Sequence, residues 1–391
     1  MSDSQPGVPA RSWKRIDGVD CLRALAILYV LLNHVNMRLL LAHVPYTAGL
    51  PHQLVTSLVW QGQRGVQIFF AVSGFLIAST TIKRWGMLSK TRPGAFYLIR
   101  FARIAPLLLT LLAVLSVLHA FHVKNFTVSP EVGGLGSALV AALTFRVGLL
   151  EATKGYLPGN WDILWSLSVE ETFYFFFPLA CRFLGRGKGL VLLLVTFVVL
   201  GPFGRTILTH GNPVWQEYSY LGSMDAIALG CLTALLVSRR SLPRRVVFAL
   251  VGVGLALLVF CLCFEPQMEK LGLEKTGLGM SILAVGACML MAAASETRWR
   301  VAGIFSPLLA YGRRSYEVYL THMFVVFACF NLFLWAGKPL WLVLPLFLTV
   351  IVLSGVLGEL VARFFSDPAN RWLRARFASR ARSAGSLLGA D

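Results

Sequence analysis

Arg23 and His34 stand eleven residues apart inside an apolar run, "CLRALAILYVLLNHV", residues 21–35. Eleven residues is about three turns of an α-helix, so both side chains share one face, roughly 16 Å apart along the axis. A guanidinium offers a planar fork of donors suited to carboxylates and phosphates. An imidazole titrates near neutrality and can take and return a proton. Ionisable groups inside apolar runs are costly and mark functional sites by default. Taken singly, Arg23 reads also as a snorkelling interfacial arginine and His34 as a hydrogen-bonded packing residue. One inward-facing stripe accounts for both.

Four other runs carry groups of this kind. "FYLIRFARIAP" holds Arg100 and Arg103, an i, i+3 pair that faces one way and suits a phosphate. "WSLSVEETFYFFFP" holds Glu170 and Glu171. Adjacent helical residues diverge by about 100°, so one of the two, Glu170, is expected to serve the site. "YGRRSYEVYLTH" holds Glu317 and His322, and "GSMDAIALG" holds Asp225. In "RGVQIFFAVSGFLI", Gly65, Ser73 and Gly74 permit close helix approach, and Gln67 can join a polar network. Asp20 and Ser166 complete the polar positions expected to support the site.

The elements that must position these groups are membrane helices. Of 391 residues, 57% are hydrophobic and 14% charged, where soluble domains carry roughly 25% charge. Apolar runs of spanning length occur at about 20–42, 66–82, 101–120, 163–181, 190–209, 219–237, 246–264, 278–294, 316–335 and 339–362. A further run, 134–150, is short and contains Arg146, and reads as a re-entrant or surface segment. The fold expected is all-α: a polytopic helical bundle of about ten spans. Most Lys and Arg lie in the loops on the N-terminal side of that topology, which predicts N-in and C-in. The domain reading is a cytoplasmic segment at 1–18, with no cleavable-looking signal, a transmembrane domain at 19–366 and a basic cytoplasmic tail at 367–391. Its stretch "RARFASRARSAGSLLGAD", residues 374–391, is expected to be a disordered end able to touch anionic lipid.

Other classes are disfavoured. The net charge of +18 is spread over short loops as in membrane proteins, which argues against nucleic acid. Seven scattered cysteines form no CxxC pair and read as small buried hydrophobes. His119 and His122 lack the further ligands a metal needs. No metal and no tightly bound cofactor are expected.

Counting rise along each span sorts the groups by depth. An inner layer of Arg23, Arg100, Arg103 and His322 suits an anionic cytoplasmic ligand. An outer layer of His34 and Glu170 forms an acid–base pair in which a carboxylate fixes the imidazole. Such an arrangement would take an activated group from inside and hand it to an acceptor outside.

With these motifs in order, the chain resembles the acyltransferase-3 family of integral membrane O-acyltransferases over about residues 15–370. "VDCLRALAILYVLLNH" is similar to the family's opening, in which an arginine precedes a histidine by eleven positions. "GVQIFFAVSGFLI", "FYLIRFARIAP", "WSLSVEETFYFFFP" and "SYEVYLTH" follow in family order. The resemblance implies about ten spans in a bacterial inner membrane, an acyl-coenzyme A co-substrate, usually acetyl, and a hydroxyl acceptor on an extracytoplasmic or lipid-linked carbohydrate. Polysaccharide-assembly proteins are implied partners. It implies that His34 is the catalytic base or a transient acyl carrier, and that Arg23, Arg100 and Arg103 handle the donor. Glu170 falls in the family's Trp-Ser-Leu-x-x-Glu motif. Cys21 replaces a common glycine, and Asp367–Pro368 stands where Glu-Pro is frequent. The extra soluble esterase-like domain of some relatives is not in this sequence, so transfer is expected to finish in the membrane domain or on a separate partner. The competing expectation is a transporter or flippase of a small anionic or lipid-linked substrate. It is disfavoured by the lack of paired interrupted helices or an inverted repeat.

Overall fold

Inside a bilayer every backbone N–H and C=O must be satisfied within the chain, and a helix does this segment by segment. The computed structural model describes residues 16–239, 241–297 and 303–387, with side chains to 377. It is 83% helical and has no strand among the described residues. Ten principal helices coincide with the ten apolar runs: α1 (Asp17–Leu41), α2 (Gly62–Trp85), α3 (Pro93–Ala120), α4 (Leu164–Leu184), α5 (Gly189–Arg205), α6 (Tyr220–Arg239), α7 (Arg244–Cys263), α8 (Leu278–Glu296), α9 (Ser315–Trp335) and α10 (Val343–Val361). Among the described residues, eight stretches are long and apolar enough to cross a membrane. The two principal helices outside that set have local reasons: α4 carries Glu170, Glu171 and Arg182, and α5 has only 17 residues. The 134–150 run forms two short helices, Gly134–Leu143 and Val147–Lys154, each under half a bilayer long at ~1.5 Å per residue.

The tail departs from expectation. Instead of disordered chain, a five-residue π-helical stretch at Ala362–Ser366 leads from α10 directly into α11 (Asp367–Leu387), which packs against α3. Two ionic anchors explain the ordered start. Arg314 Nη1 donates to Asp367 Oδ2 at 2.8 Å and its Nε to Glu359 Oε2 at 2.8 Å. Residues 1–15 and 388–391, which belong to the expected terminal segments, lie outside the described residues.

Helix α1 is the hub, packing on α2, α8, α9 and α10. Helices α2 and α6 cross with their backbones in close approach. A Cβ at Gly74 would stand 1.9 Å from the Ile227 carbonyl oxygen, and one at Gly230 would stand 2.0 Å from that of Ala71. Small residues let the backbones meet, as expected of bundles in lipid. The outward surface is apolar: Phe183, Phe248, Trp335 and Trp341 are each more than 70% exposed, as lipid-facing side chains are. All seven cysteines are free, as small hydrophobes should be.

Candidate active site

A cavity of about 330 Å³ opens among α1, α2, α3, α4 and α9. Its polar lining comprises Arg23, Ser73, Arg100, Arg103, Glu170, Tyr174, Ser315 and Tyr319, among others. Each arginine is held. Arg23 Nε donates to Ser315 Oγ at 3.1 Å, and its Nη1 lies 3.8 Å from Asp20 Oδ1. Arg100 Nη2 pairs with Glu171 Oε1 at 3.2 Å, and its guanidinium lies 3.7 Å from the Tyr174 ring centroid. Arg103 pairs with buried Glu317 at 3.1 Å and with Asp367 at 3.7 Å. The Tyr174 and Ser73 hydroxyls are hydrogen-bonded to each other. A guanidinium has five N–H donors, so these pairings fix each fork and leave donors for an anion.

The histidines form a second centre. His322 Nε2 and His34 Nδ1 are 3.3 Å apart, with ring centroids separated by 5.0 Å. His322 Nδ1 lies 2.6 Å from the Tyr319 carbonyl oxygen, and His34 Nδ1 lies 2.8 Å from that of Val30. A carbonyl only accepts, which assigns the protons. His322 carries its proton on Nδ1 and presents an Nε2 lone pair. His34 carries its proton on Nδ1 and shares it between Val30 and His322. The Nε2 of His34 is therefore the basic atom. The carbonyl and second imidazole fix the tautomer of His34, as hydrogen-bond partners fix metal-ligating or catalytic histidines.

Tyr319 lies between the two centres. It lines the cavity, its hydroxyl donates to the Ile163 carbonyl at 3.0 Å and lies 2.7 Å from Ser166 Oγ, and its ring stands 5.8 Å from that of His322.

Two depth assignments need correction. Glu170 does not pair with His34: it lines the arginine cavity. Counting depth from the start of the apolar run at 163 places Glu170 too far out. Gly159–Asp162 is a helical turn within the protein, with Asn160 and Trp161 fully buried. The contacts of Tyr319 with Ile163 and Ser166 place the start of α4 level with the second turn of α9. Glu170, about 10 Å further in, then falls at the level of Arg23. His322, conversely, is not in the inner layer. Contact of Arg23 with Ser315 shows that α9 begins where α1 is already well advanced, so His322 rises to His34. Both glutamates of the adjacent pair serve the cavity, Glu170 by lining it and Glu171 by holding Arg100.

The remaining expected positions sort plainly. Ser73 and Ser166 line the cavity, while Asp20 and Glu317 hold Arg23 and Arg103. Gln67 and Asp225 belong to a separate buried network. Arg205 grips Asp225 at 2.7 and 3.0 Å, while Ser281 and Gln67 donate to the same carboxylate. No cluster of three or more metal-ligating side chains occurs among the described residues.

Sequence reasoning missed Tyr319, which is chemically silent in a helix rich in aromatics. It also missed a carboxyl pair in the 147–162 segment. Tyr218 Oη donates to Asp162 Oδ1 at 2.7 Å, and the Leu157 N–H donates to Glu151 Oε1 at 2.9 Å. Burial pushes Asp162 up to about 6. Burial and the adjacent Asp162 carboxylate push Glu151 well above the usual carboxylate range. The one available signal was their placement as lone carboxyls beside apolar segments.

A helical bundle with arginines gathered at one buried cavity and a base-competent histidine pair close by defines an integral membrane protein of the group-transfer class. The match of residues 16–359 to the "Acyltransferase domain" model of the acyltransferase-3 family makes the assignment specific, and the chain belongs to that family. It is similar to the O-acetyltransferase OatA of Staphylococcus aureus strain NCTC 8325, 23% identical over 374 residues covering 91% of this chain and 57% of the relative. A putative O-acetyltransferase of S. aureus strain COL is 24% identical over 379 residues, covering 92% and 58% respectively. The chain thus spans somewhat over half the length of these curated relatives. No solved structure matches it.

Proposed function

We propose that the chain is a membrane O-acyltransferase that moves an acyl group, acetyl in the first instance, from cytoplasmic acyl-coenzyme A to a hydroxyl of an extracytoplasmic or lipid-linked carbohydrate. The topology in this reading is ten spans with both termini inside, in a bacterial inner membrane. The observation that carries the chemistry is the pair of contacts at His34 Nδ1, 2.8 Å from the Val30 carbonyl oxygen and 3.3 Å from His322 Nε2, from which Nε2 follows as the basic atom. His34 Nε2 takes the proton of the acceptor hydroxyl as its oxygen attacks the thioester carbonyl carbon. The tetrahedral intermediate collapses with cleavage of the C–S bond. The leaving thiolate recovers the proton from His34. The positive charge that develops on His34 is shared with His322 through their contact. Arg23, Arg100 and Arg103 hold the anionic donor, and Tyr319 must shift for the acyl group to pass from the cavity to the histidines. The printed names of the relatives, both O-acetyltransferases, support acetyl and an oxygen acceptor.

General-base assistance is typically worth 10²–10⁴-fold. In membranes that acetylate a glycan acceptor from labelled acetyl-coenzyme A, His34→Ala is expected to lower product formation by that order, with thiol release falling in parallel. Undiminished product would remove His34 from the mechanism. Substrate movement across the bilayer with neither acetylated product nor free thiol would replace the enzyme reading by a carrier.

A further inference from the structure

The cavity is at the lower end of the roughly 300–1,000 Å³ of small-molecule sites. At about 330 Å³ it suits a slender thioester arm, and the nucleotide end of such a donor would have to remain outside. The arginines at its mouth extend beyond those found from motifs. Thr80 on α2 lines the cavity, and Arg84 lies one helical turn further along the same face, exposed. On the facing side, Asp367 touches Arg103 at 3.7 Å. Arg374 lies seven residues on, about two turns or roughly 10 Å along α11, on the face that Asp367 presents to α3. Arg374 is exposed, and the charges of Arg84 and Arg103 both act on it. Neither Arg84 nor Arg374 forms an ion pair among the described residues.

Three guanidinium groups drawn from α2, α3 and α11 therefore surround one mouth, with carboxylate partners for only one of them. Like charges brought together repel unless an anion bridges them, and guanidinium forks bind phosphate oxygens in that role. The start of α11 is fixed for this purpose by the Arg314–Asp367–Arg103 ionic chain. The π-helical turn at Ala362–Ser366, a feature frequent at functional sites, sets its direction.

We propose that Arg84 and Arg374, together with Arg103, bind the phosphates of the acyl donor's nucleotide at the cytoplasmic mouth of the cavity. The assignment rests on the acyl-coenzyme A reading above. The same chemistry could come from anionic lipid headgroups, so the test uses the full chain in nanodiscs of uncharged phosphatidylcholine. With the glycan acceptor supplied, thiol release is followed with acetyl-coenzyme A and with acetyl-pantetheine, which lacks the nucleotide. The double variant Arg84→Ala/Arg374→Ala is expected to raise KM for acetyl-coenzyme A at least tenfold, with kcat and the acetyl-pantetheine KM unchanged. The Lys double variant should recover part of the loss. Adenosine 3′,5′-bisphosphate should compete with acetyl-coenzyme A in the wild type and at least tenfold more weakly in the variant. An unchanged KM for acetyl-coenzyme A would overturn the proposal. If anionic vesicles then bind the wild type better than the variant, the cluster is a lipid anchor. An equal rise with acetyl-pantetheine would also overturn it, because the effect would be structural. Absence of thiol release by the wild type from either thioester would instead remove the acyl-coenzyme A reading, and this proposal with it.

Discussion

At the residue scale, His34 was legible and its partner was not. Charge and spacing in residues 21–35 identify His34 as out of place in lipid, and that needs no tertiary information. The identity of its neighbour depends on where α9 starts relative to α1, which is set by the contact of Arg23 with Ser315. A carboxylate was the natural guess. The structure supplies a neutral imidazole, and this changes the expected chemistry. A carboxylate would hold a full charge against the histidine, whereas His322 takes up charge only as the reaction creates it. Loss of groups that orient a functional histidine typically costs 10–100-fold. His322→Ala is expected to lower kcat by that factor with KM for the donor unchanged. His322→Gln, whose carbonyl can accept from His34 Nδ1, should recover part of the rate. A purely packing role predicts that both variants fall together and that thermal stability falls with them.

At the element scale, the apolar runs coincide with the principal helices, and among the described residues eight stretches have the length and apolarity that lipid imposes on each span independently. Hydropathy could not give their vertical offsets, and the misplacement of Glu170 follows from that. The buried turn at Gly159–Asp162 resembles a loop in sequence, yet it sits within the protein and delays the start of α4. The order of α11 was hidden for a related reason. Its arginines lower its hydropathy, while the ion pairs that anchor it join Asp367 to Arg314 and Arg103 on other elements. The small residues of α2 were read correctly as a contact surface, and Gly74 tests that reading. Its added methyl group would meet the Ile227 carbonyl, backbone rather than a flexible side chain. Overpacking of this kind typically costs about 1–3 kcal/mol. Gly74→Ala is expected to lower the unfolding temperature in detergent. Gly252→Ala, on α7 with nothing within 4 Å of the new atom, should leave stability unchanged or slightly raised, since alanine favours helix by about 1 kcal/mol over glycine. Equal effects at the two positions would show that the α2–α6 crossing does not depend on close backbone approach.

At the scale of the whole molecule, the carboxyl pair of Glu151 and Asp162 ties the short helices of the 147–162 segment to each other and to Tyr218, and the Gly159–Asp162 turn packs on α9. Both acids are raised, Asp162 to about 6 and Glu151 further, with burial as the leading cause in each. The folded protein therefore binds these protons more tightly than the unfolded chain. Stability from them is complete below the ordinary carboxylate range and declines as pH rises through the unfolded values toward the folded ones. Glu151→Gln keeps an oxygen to accept from the Leu157 N–H and removes the titrating group. Its unfolding temperature in detergent should match the wild type near pH 4. It should exceed the wild type increasingly as the pH rises through 6 and beyond, because the wild type must then either keep a proton against solution or bury a second negative charge. A difference independent of pH would mean that Glu151 acts through packing. A lower unfolding temperature at pH 8 would mean that its charge is compensated. If acyl transfer falls in this variant while its stability rises at neutral pH, the pair contributes to function at the expense of stability, as strained or desolvated groups at active sites commonly do.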